Sequence, residues 1–74
     1  REVAEEKVKN ATDATYIARN FVSSQGRGGG KERTAHRSGD VWIVEFDIGL
    51  FEPKTATVQI DARTGDVVGY AFPD

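Results

Sequence analysis

Cysteine is absent from the 74 residues, and histidine occurs once, as His36. Without cysteine, the chain can form no disulfide and no thiolate-rich metal site. A catalytic dyad or a zinc site would need partners that one histidine does not supply, so we interpret His36 as a solvent-facing strand residue. We therefore expect no metal, no cofactor and no enzymatic activity.

Long apolar runs are also missing. No stretch approaches the roughly 20 apolar residues that a membrane-spanning helix needs, so we expect no membrane insertion by this segment. No signal peptide is visible either. The chain begins with Arg1 rather than methionine, and we expect it to be a processed form or a piece of a longer protein.

Neither sign of charge dominates. The net charge is −2 and the sequence pI is about 5.3, which argues against a dedicated nucleic-acid binder. The segment 26–40 is mildly basic and contains Arg33 and Arg37. These arginines could bind an acidic partner, and a solvated sheet edge is the alternative interpretation.

The first third of the chain has a helical period. Small and apolar residues recur at three- and four-residue steps, which predicts a helix over about residues 2–24 that is strongest in its second half. A fresh start at Thr12 is an alternative, because Thr can cap a helix and Asp13 is favourable in a first turn. A glycine linker at 26–30 follows, and Gly26 suits the left-handed position that ends a helix.

Apolar and polar side chains alternate through most of residues 31–72, which predicts an antiparallel meander of three or four strands. With the helix laid across one face, the chain has an α+β fold and a single domain. The polar residues 31–37 are expected to form an edge strand. The predicted core consists of Ile17, Phe21, Trp42, Val44, Phe46, Val58, Ile60, Val68 and Tyr70.

A tight turn precedes the last strand. We assign Asp61, Thr64 and Gly65 to this turn. Asp61 is expected to accept hydrogen bonds from the turn's backbone, and Gly65 to adopt a positive φ. The register that keeps apolar residues on one face then pairs Val68, Tyr70 and Phe72 with Ile60, Val58 and Ala56.

Several apolar residues fall outside this core. Val41, Ile43 and Val67 are expected on the face opposite the helix, and Leu50 and Phe51 lie in a loop. Exposed apolar patches and loop aromatics often mark contact sites. We therefore predict these five residues, together with the two arginines of the basic segment, as candidate partner-binding residues. A weak homodimer, through this face or an open strand edge, is an alternative.

A small-molecule site is the least favoured use of the fold. It would need a concave pocket of a few hundred cubic ångströms with convergent polar groups. A core filled by Trp42 and Phe46 is expected to leave no room for one.

Three segments of the chain resemble a PepSY domain, the module found in propeptides of thermolysin-family metallopeptidases and in many cell-envelope proteins. They are the helix stripe Ala14-Thr15-Tyr16-Ile17-Ala18, the strand 39–46, similar to the family's G-x-x-W-x-V-x-F, and the segment 58–68, similar to its V-x-V-D-A-x-T-G-x-V ending. The last is the most specific. The glycine tract 28–30 and the polar first strand depart from the family's pattern.

The resemblance implies a cystatin-like arrangement of helix and sheet and an extracytoplasmic setting, secreted or in the cell envelope. It also implies a protein partner, either a peptidase that the domain binds or inhibits, or the rest of its own parent chain. The family has no catalytic residues to carry over. We therefore expect a non-enzymatic interaction module, and the alternative is a structural or self-associating domain of a cell-envelope protein.

Overall fold

The computed structural model describes residues 6–26, 30–49, 52 and 54–72. One helix, α1 (Ala11–Ser24), is followed by four strands: β1 (Lys31–Ser38), β2 (Val41–Asp47), β3 (Thr55–Asp61) and β4 (Val67–Ala71). The strands form one antiparallel sheet in the order β1-β2-β3-β4, and α1 packs on β1, β2 and β3. The predicted α+β fold, with a helix on an antiparallel meander, is confirmed.

The helix begins later than the sequence predicted. Asn10 has an extended backbone, and its side-chain oxygen accepts a hydrogen bond from the Asp13 N–H at 2.9 Å. Asn10 is therefore the N-cap, and the alternative start at Thr12 is wrong by two residues. The acidic side chain in the first turn is Asp13, as predicted.

Residues 6–10, which we call the N-terminal segment, lie beside the turn after β3. The N–H groups of Lys7 and Val8 donate to the carbonyl oxygens of Arg63 and Ala62 at 3.3 and 3.1 Å. The predicted helix is wrong for this segment, because these backbone groups pair with the turn instead of with a helix. Residues 1–5 of the predicted helix lie outside the described part of the chain.

The helix ends as the sequence predicted. Gly26 has a φ of 79°, in the left-handed region that favours glycine. The Gln25 N–H donates to the Phe21 carbonyl oxygen at 3.1 Å, which satisfies one of the free carbonyls of the last turn. The central part of the predicted glycine linker, 27–29, lies outside the described residues.

The core fills the space between α1 and the inner face of the sheet. The predicted core residues of β2 and β3 are all buried: Trp42, Val44, Phe46, Val58 and Ile60. Ile17 and Phe21 are half-buried and pack against this core. Val8 and Ala62, which were not predicted, are fully buried, so the N-terminal segment closes one end of the core.

The register of β4 differs from the predicted one. Tyr70 pairs with Val58 as expected, but Ile60 pairs with Val67, because a bulge interrupts the ladder. Val67 therefore packs against the core instead of lying on the opposite face. Val68 and Tyr70 are 55% and 58% exposed, so their assignment to the core is wrong. A one-residue bulge is enough to shift the alternation of side chains.

Candidate functional site

The two edges of the sheet differ in charge. The β1 edge carries the charged side chains Lys31, Glu32, Arg33 and Arg37 as well as His36, whereas β4 (Val67–Ala71) carries no charged side chain. Charges on an edge strand discourage pairing with another chain. The structure therefore protects β1 and leaves the backbone edge of β4 without this protection.

Val68 and Tyr70, two of the three exposed large hydrophobic residues in the described part of the chain, lie on β4 itself. The Tyr70 ring centroid is 5.1 Å from that of Phe21 on α1 and 5.3 Å from that of Phe72. The Phe21 and Phe72 centroids are 6.3 Å apart. We call Phe21, Val68, Tyr70 and Phe72 the β4 surface. It combines an aromatic cluster with an uncharged strand edge, two features that are common in protein-binding sites.

The β4 surface is exposed because of where the helix lies. α1 packs on β1, β2 and β3, and the contact with β4 is made by Phe21 at the margin of the helix. Tyr70 is paired with the buried Val58, so its ring is on the helix side of the sheet, yet more than half of it is exposed. The last strand thus extends past the cover that the helix provides.

The predicted basic site is occupied by contacts within the chain. The Arg37 guanidinium donates two hydrogen bonds to the carboxylate of Glu6, at 2.8 and 2.7 Å, and a third to the Gly39 carbonyl oxygen at 2.7 Å. The paired hydrogen bonds lower the pKa of Glu6 and raise the pKa of Arg37. Arg33 Nη1 lies 3.5 Å from the Thr55 hydroxyl. Arg37 therefore attaches the N-terminal segment to β1.

The face of the sheet opposite the helix does not form the predicted three-residue patch. Val41 and Ile43 are half-buried there, and their cross-strand partners on β3 are polar: Asp61 and Gln59. Val67 packs against the core instead. Leu50 and Phe51, the predicted loop contacts, lie outside the described residues. This face is consequently more polar than the β4 surface.

The carboxylate of Asp47 stabilises the connection between β2 and β3. Asp47 accepts hydrogen bonds from the N–H groups of Gly49 and Lys54, at 3.1 and 3.3 Å, and these bonds lower its pKa.

Within the described residues, no three His, Cys, Asp or Glu side chains are grouped so that they could hold a metal ion. In the same part of the chain, no helix has the length and hydropathy of a membrane span.

The turn residues act as the sequence predicted. Asp61 Oδ1 accepts hydrogen bonds from the N–H groups of Arg63 and Thr64, at 2.7 and 3.3 Å. The Gly65 N–H donates to the Asp61 carbonyl oxygen at 2.8 Å, and Gly65 has a φ of 81°. The Thr64 hydroxyl accepts from the Asp66 N–H at 3.2 Å. This turn sets the start of β4 and provides the carbonyl groups that hold the N-terminal segment.

An open groove lies between the second half of α1 and the start of β1. Its volume is about 560 Å³, and it is lined by Arg19, Val22, Ser23, Gly30, Lys31, Glu32 and Phe46. This volume falls in the range of small-molecule sites. The expectation that the core leaves no room for a pocket of a few hundred cubic ångströms is therefore wrong. However, Val22 and Phe46 are only 3% and 2% exposed, so the floor offers a ligand little apolar surface.

Sequence patterns did not reveal the β4 surface, although two signals were available. Val67 and Val68 are adjacent apolar residues in a strand that otherwise alternates. Two neighbours cannot both face the core of a regular strand, so either a bulge or an exposed valine is expected. The absence of charge from the last strand was a second signal.

Comparisons with known proteins gave no match to a protein-family model, to a curated protein or to a solved structure. The β4 surface, defined by its geometry and exposure, is therefore the basis for the functional conclusion.

Proposed function

We propose that this chain is a non-enzymatic protein-binding module and that it binds its partner through the β4 surface. The observation that carries the proposal is the contrast between the two sheet edges. β1 has charged side chains along its length, whereas β4 has none and is flanked by Val68 and Tyr70, each more than half exposed. Natural proteins usually protect an open edge unless it is used.

The binding mode that fits this surface is strand addition. In the described part of the chain, no strand lies beyond β4 in the sheet. An extended segment of a partner can pair with the backbone groups on this outer edge, and main-chain hydrogen bonds then supply affinity. Its apolar side chains would pack on Val68 and on Tyr70, whose ring contacts those of Phe21 and Phe72. Preformed aromatic side chains lose little conformational entropy on binding.

The PepSY resemblance supplies the proposed partner and setting. In this proposal the domain works outside the cytoplasm and binds or restrains a peptidase. The segments that carry the resemblance fold into the first half and middle of α1, the core strand β2, and the stretch from β3 through the turn to the start of β4. The resemblance therefore involves the framework that positions the β4 surface.

The proposal is tested by titrating thermolysin-family metallopeptidases with the chain and measuring both inhibition and binding. We expect saturable binding without turnover of the chain, and amide protection in β4 on complex formation. Val68→Lys should weaken binding by about tenfold or more, since it introduces a charge at the centre of the contact. Tyr16→Lys is the matched control, because Tyr16 is 69% exposed on α1.

Two results would oppose the proposal. Binding that is equally strong for Val68→Lys and the wild type would place the contact elsewhere. Cleavage of the chain as an ordinary substrate, with no inhibition, would remove the peptidase from the proposal.

A further inference from the structure

We infer that β4 also pairs with β4 of a second copy of this chain, antiparallel and centred on Gly69, to form a continuous eight-stranded sheet. The inference rests on the proposed use of the β4 edge as a binding surface, and it names one occupant of that edge. Before another protein binds, the second copy would cover the exposed valine and tyrosine.

The pairing follows from the length and symmetry of the strand. β4 has five residues, and Gly69 is at its midpoint. Full overlap of two antiparallel copies therefore places Gly69 opposite Gly69, and Val68 of each copy opposite Tyr70 of the other. The two Val68–Tyr70 pairs formed in this way cover the most exposed apolar residues of the strand, which are 55% and 58% exposed in the single chain.

The faces of the two sheets also match. A two-fold axis perpendicular to the sheet keeps both α1 helices on the same side. The ring of Tyr70 contacts Phe21 on that side. It then lies on the same side of the joined sheet as the Tyr70 ring of the second copy. The two aromatic clusters would form one apolar contact across the join, and aromatic and β-branched cross-strand pairs stabilise sheets.

Charge favours the antiparallel orientation. β4 itself has no charged side chain, and Asp66 lies immediately before it. In the antiparallel arrangement the two Asp66 carboxylates are at opposite ends of the join, whereas a parallel arrangement would place them side by side. Like charges directly opposite each other destabilise a strand pair.

The second edge does not offer the same pairing. β1 carries three cationic side chains, Lys31, Arg33 and Arg37, and one acidic side chain, Glu32. Two copies of β1 would bring together two strands that each have a net positive charge. Edge charges oppose edge-to-edge association, so the assembly stops at a dimer instead of continuing as a fibre.

The size of the contact sets the expected affinity. A standard interface buries roughly 800 Å² on each partner. One strand of five residues and a small aromatic cluster cover less than this, so we expect a weak dimer with a micromolar or higher dissociation constant. Such a dimer would dissociate when a tighter partner takes the same edge.

The test uses two charge variants of the 74-residue chain, one carrying Val68→Lys and Tyr70→Lys and the other carrying Val68→Glu and Tyr70→Glu. Sedimentation equilibrium of the wild type should show a concentration-dependent dimer. Each variant alone should be monomeric, since like charges would face each other. An equimolar mixture should form a 1:1 heterodimer, because positions 68 and 70 of the two copies are opposite each other.

Circular dichroism and thermal melting show whether each variant is folded. Val68→Lys alone provides a milder second variant, expected to raise the dimer dissociation constant by about tenfold or more. Tyr16→Lys and Tyr16→Glu are controls outside the β4 surface, and they should dimerise like the wild type.

Three results would overturn the inference: a wild-type chain that is monomeric up to about 1 mM, the upper end of weak specific affinities; charge variants that dimerise alone as well as the wild type does; or a mixture that stays monomeric. A monomeric wild type that still binds a peptidase with protection of β4 would remove only the self-association. Dimerisation without binding to any tested peptidase would instead oppose the proposed peptidase partner.

Discussion

Trp42 donates its indole N–H to the carbonyl oxygen of Val8 at 3.2 Å. The two residues are 34 positions apart in the sequence, and both are buried. This bond joins the N-terminal segment to the central strand β2, so one side chain both fills the core and fixes the entry of the chain into α1. A buried indole N–H usually finds such a partner.

Replacing Trp42 tests both functions of this side chain. Trp42→Ala should lower the free energy of unfolding by about 3–5 kcal/mol, since it leaves a large cavity, and a domain of this size would then be largely unfolded. Trp42→Phe should cost less, about 1–3 kcal/mol, because it leaves the Val8 carbonyl oxygen without its partner. Urea denaturation followed by circular dichroism measures both. A fully stable Trp42→Ala would contradict the burial of this residue.

The register of β4 is tested by two adjacent substitutions. Val67 packs against the core, whereas Val68 is 55% exposed. Val67→Lys should therefore destabilise the fold by more than about 1 kcal/mol, and Val68→Lys should change the free energy of unfolding by less than about 0.5 kcal/mol. These values should be measured at low protein concentration, where chains do not associate. A larger loss of stability for Val68→Lys than for Val67→Lys would instead support the register predicted from the sequence.

The turn before β4 requires a left-handed residue at position 65. Gly65 has a φ of 81°, so Gly65→Val should cost about 1–3 kcal/mol. Gly65→Asn is the matched control, because asparagine visits this region more readily, and it should cost clearly less. Thermal melting distinguishes them. Equal melting temperatures for the two variants would mean that the backbone at this position can adopt a negative φ without loss.

The Glu6–Arg37 pair should contribute to stability at neutral pH. The hydrogen bonds from Arg37 lower the pKa of Glu6 from its ordinary value of 4.5. A depressed carboxyl pKa stabilises the fold above the ordinary value, and this contribution is lost as the pH falls through the lowered pKa. Glu6→Gln should therefore be less stable than the wild type at pH 7, and the difference should shrink towards pH 2.

The same comparison needs a control carboxylate. Glu52 is exposed, and Glu52→Gln should follow the wild type throughout the titration. Urea unfolding at several pH values gives the measurement. A constant gap between Glu6→Gln and the wild type from pH 7 to pH 2 would show that the pair does not stabilise the fold through ionisation.

Much of the fold could be predicted from local patterns. The two-residue alternation of β2 and β3 predicted which of their side chains are buried, and the glycines at 26 and 65 marked the end of α1 and the turn. These features depend on residues close together in the chain. The late start of α1 was harder to predict, because Asn10 and Thr12 are both good caps, and the choice depends on hydrogen bonds between the N-terminal segment and the turn at 61–65.

Local patterns were enough to predict the α+β class, the meander and the faces of the central strands, because side-chain periodicity and turn chemistry act over a few residues. How far α1 covers the sheet and where the bulge in β4 lies became visible only in the folded chain. Both depend on packing between segments far apart in the chain, which periodicity does not encode. As a result, Val68 and Tyr70, which resemble core residues in the sequence, became the exposed centre of the β4 surface.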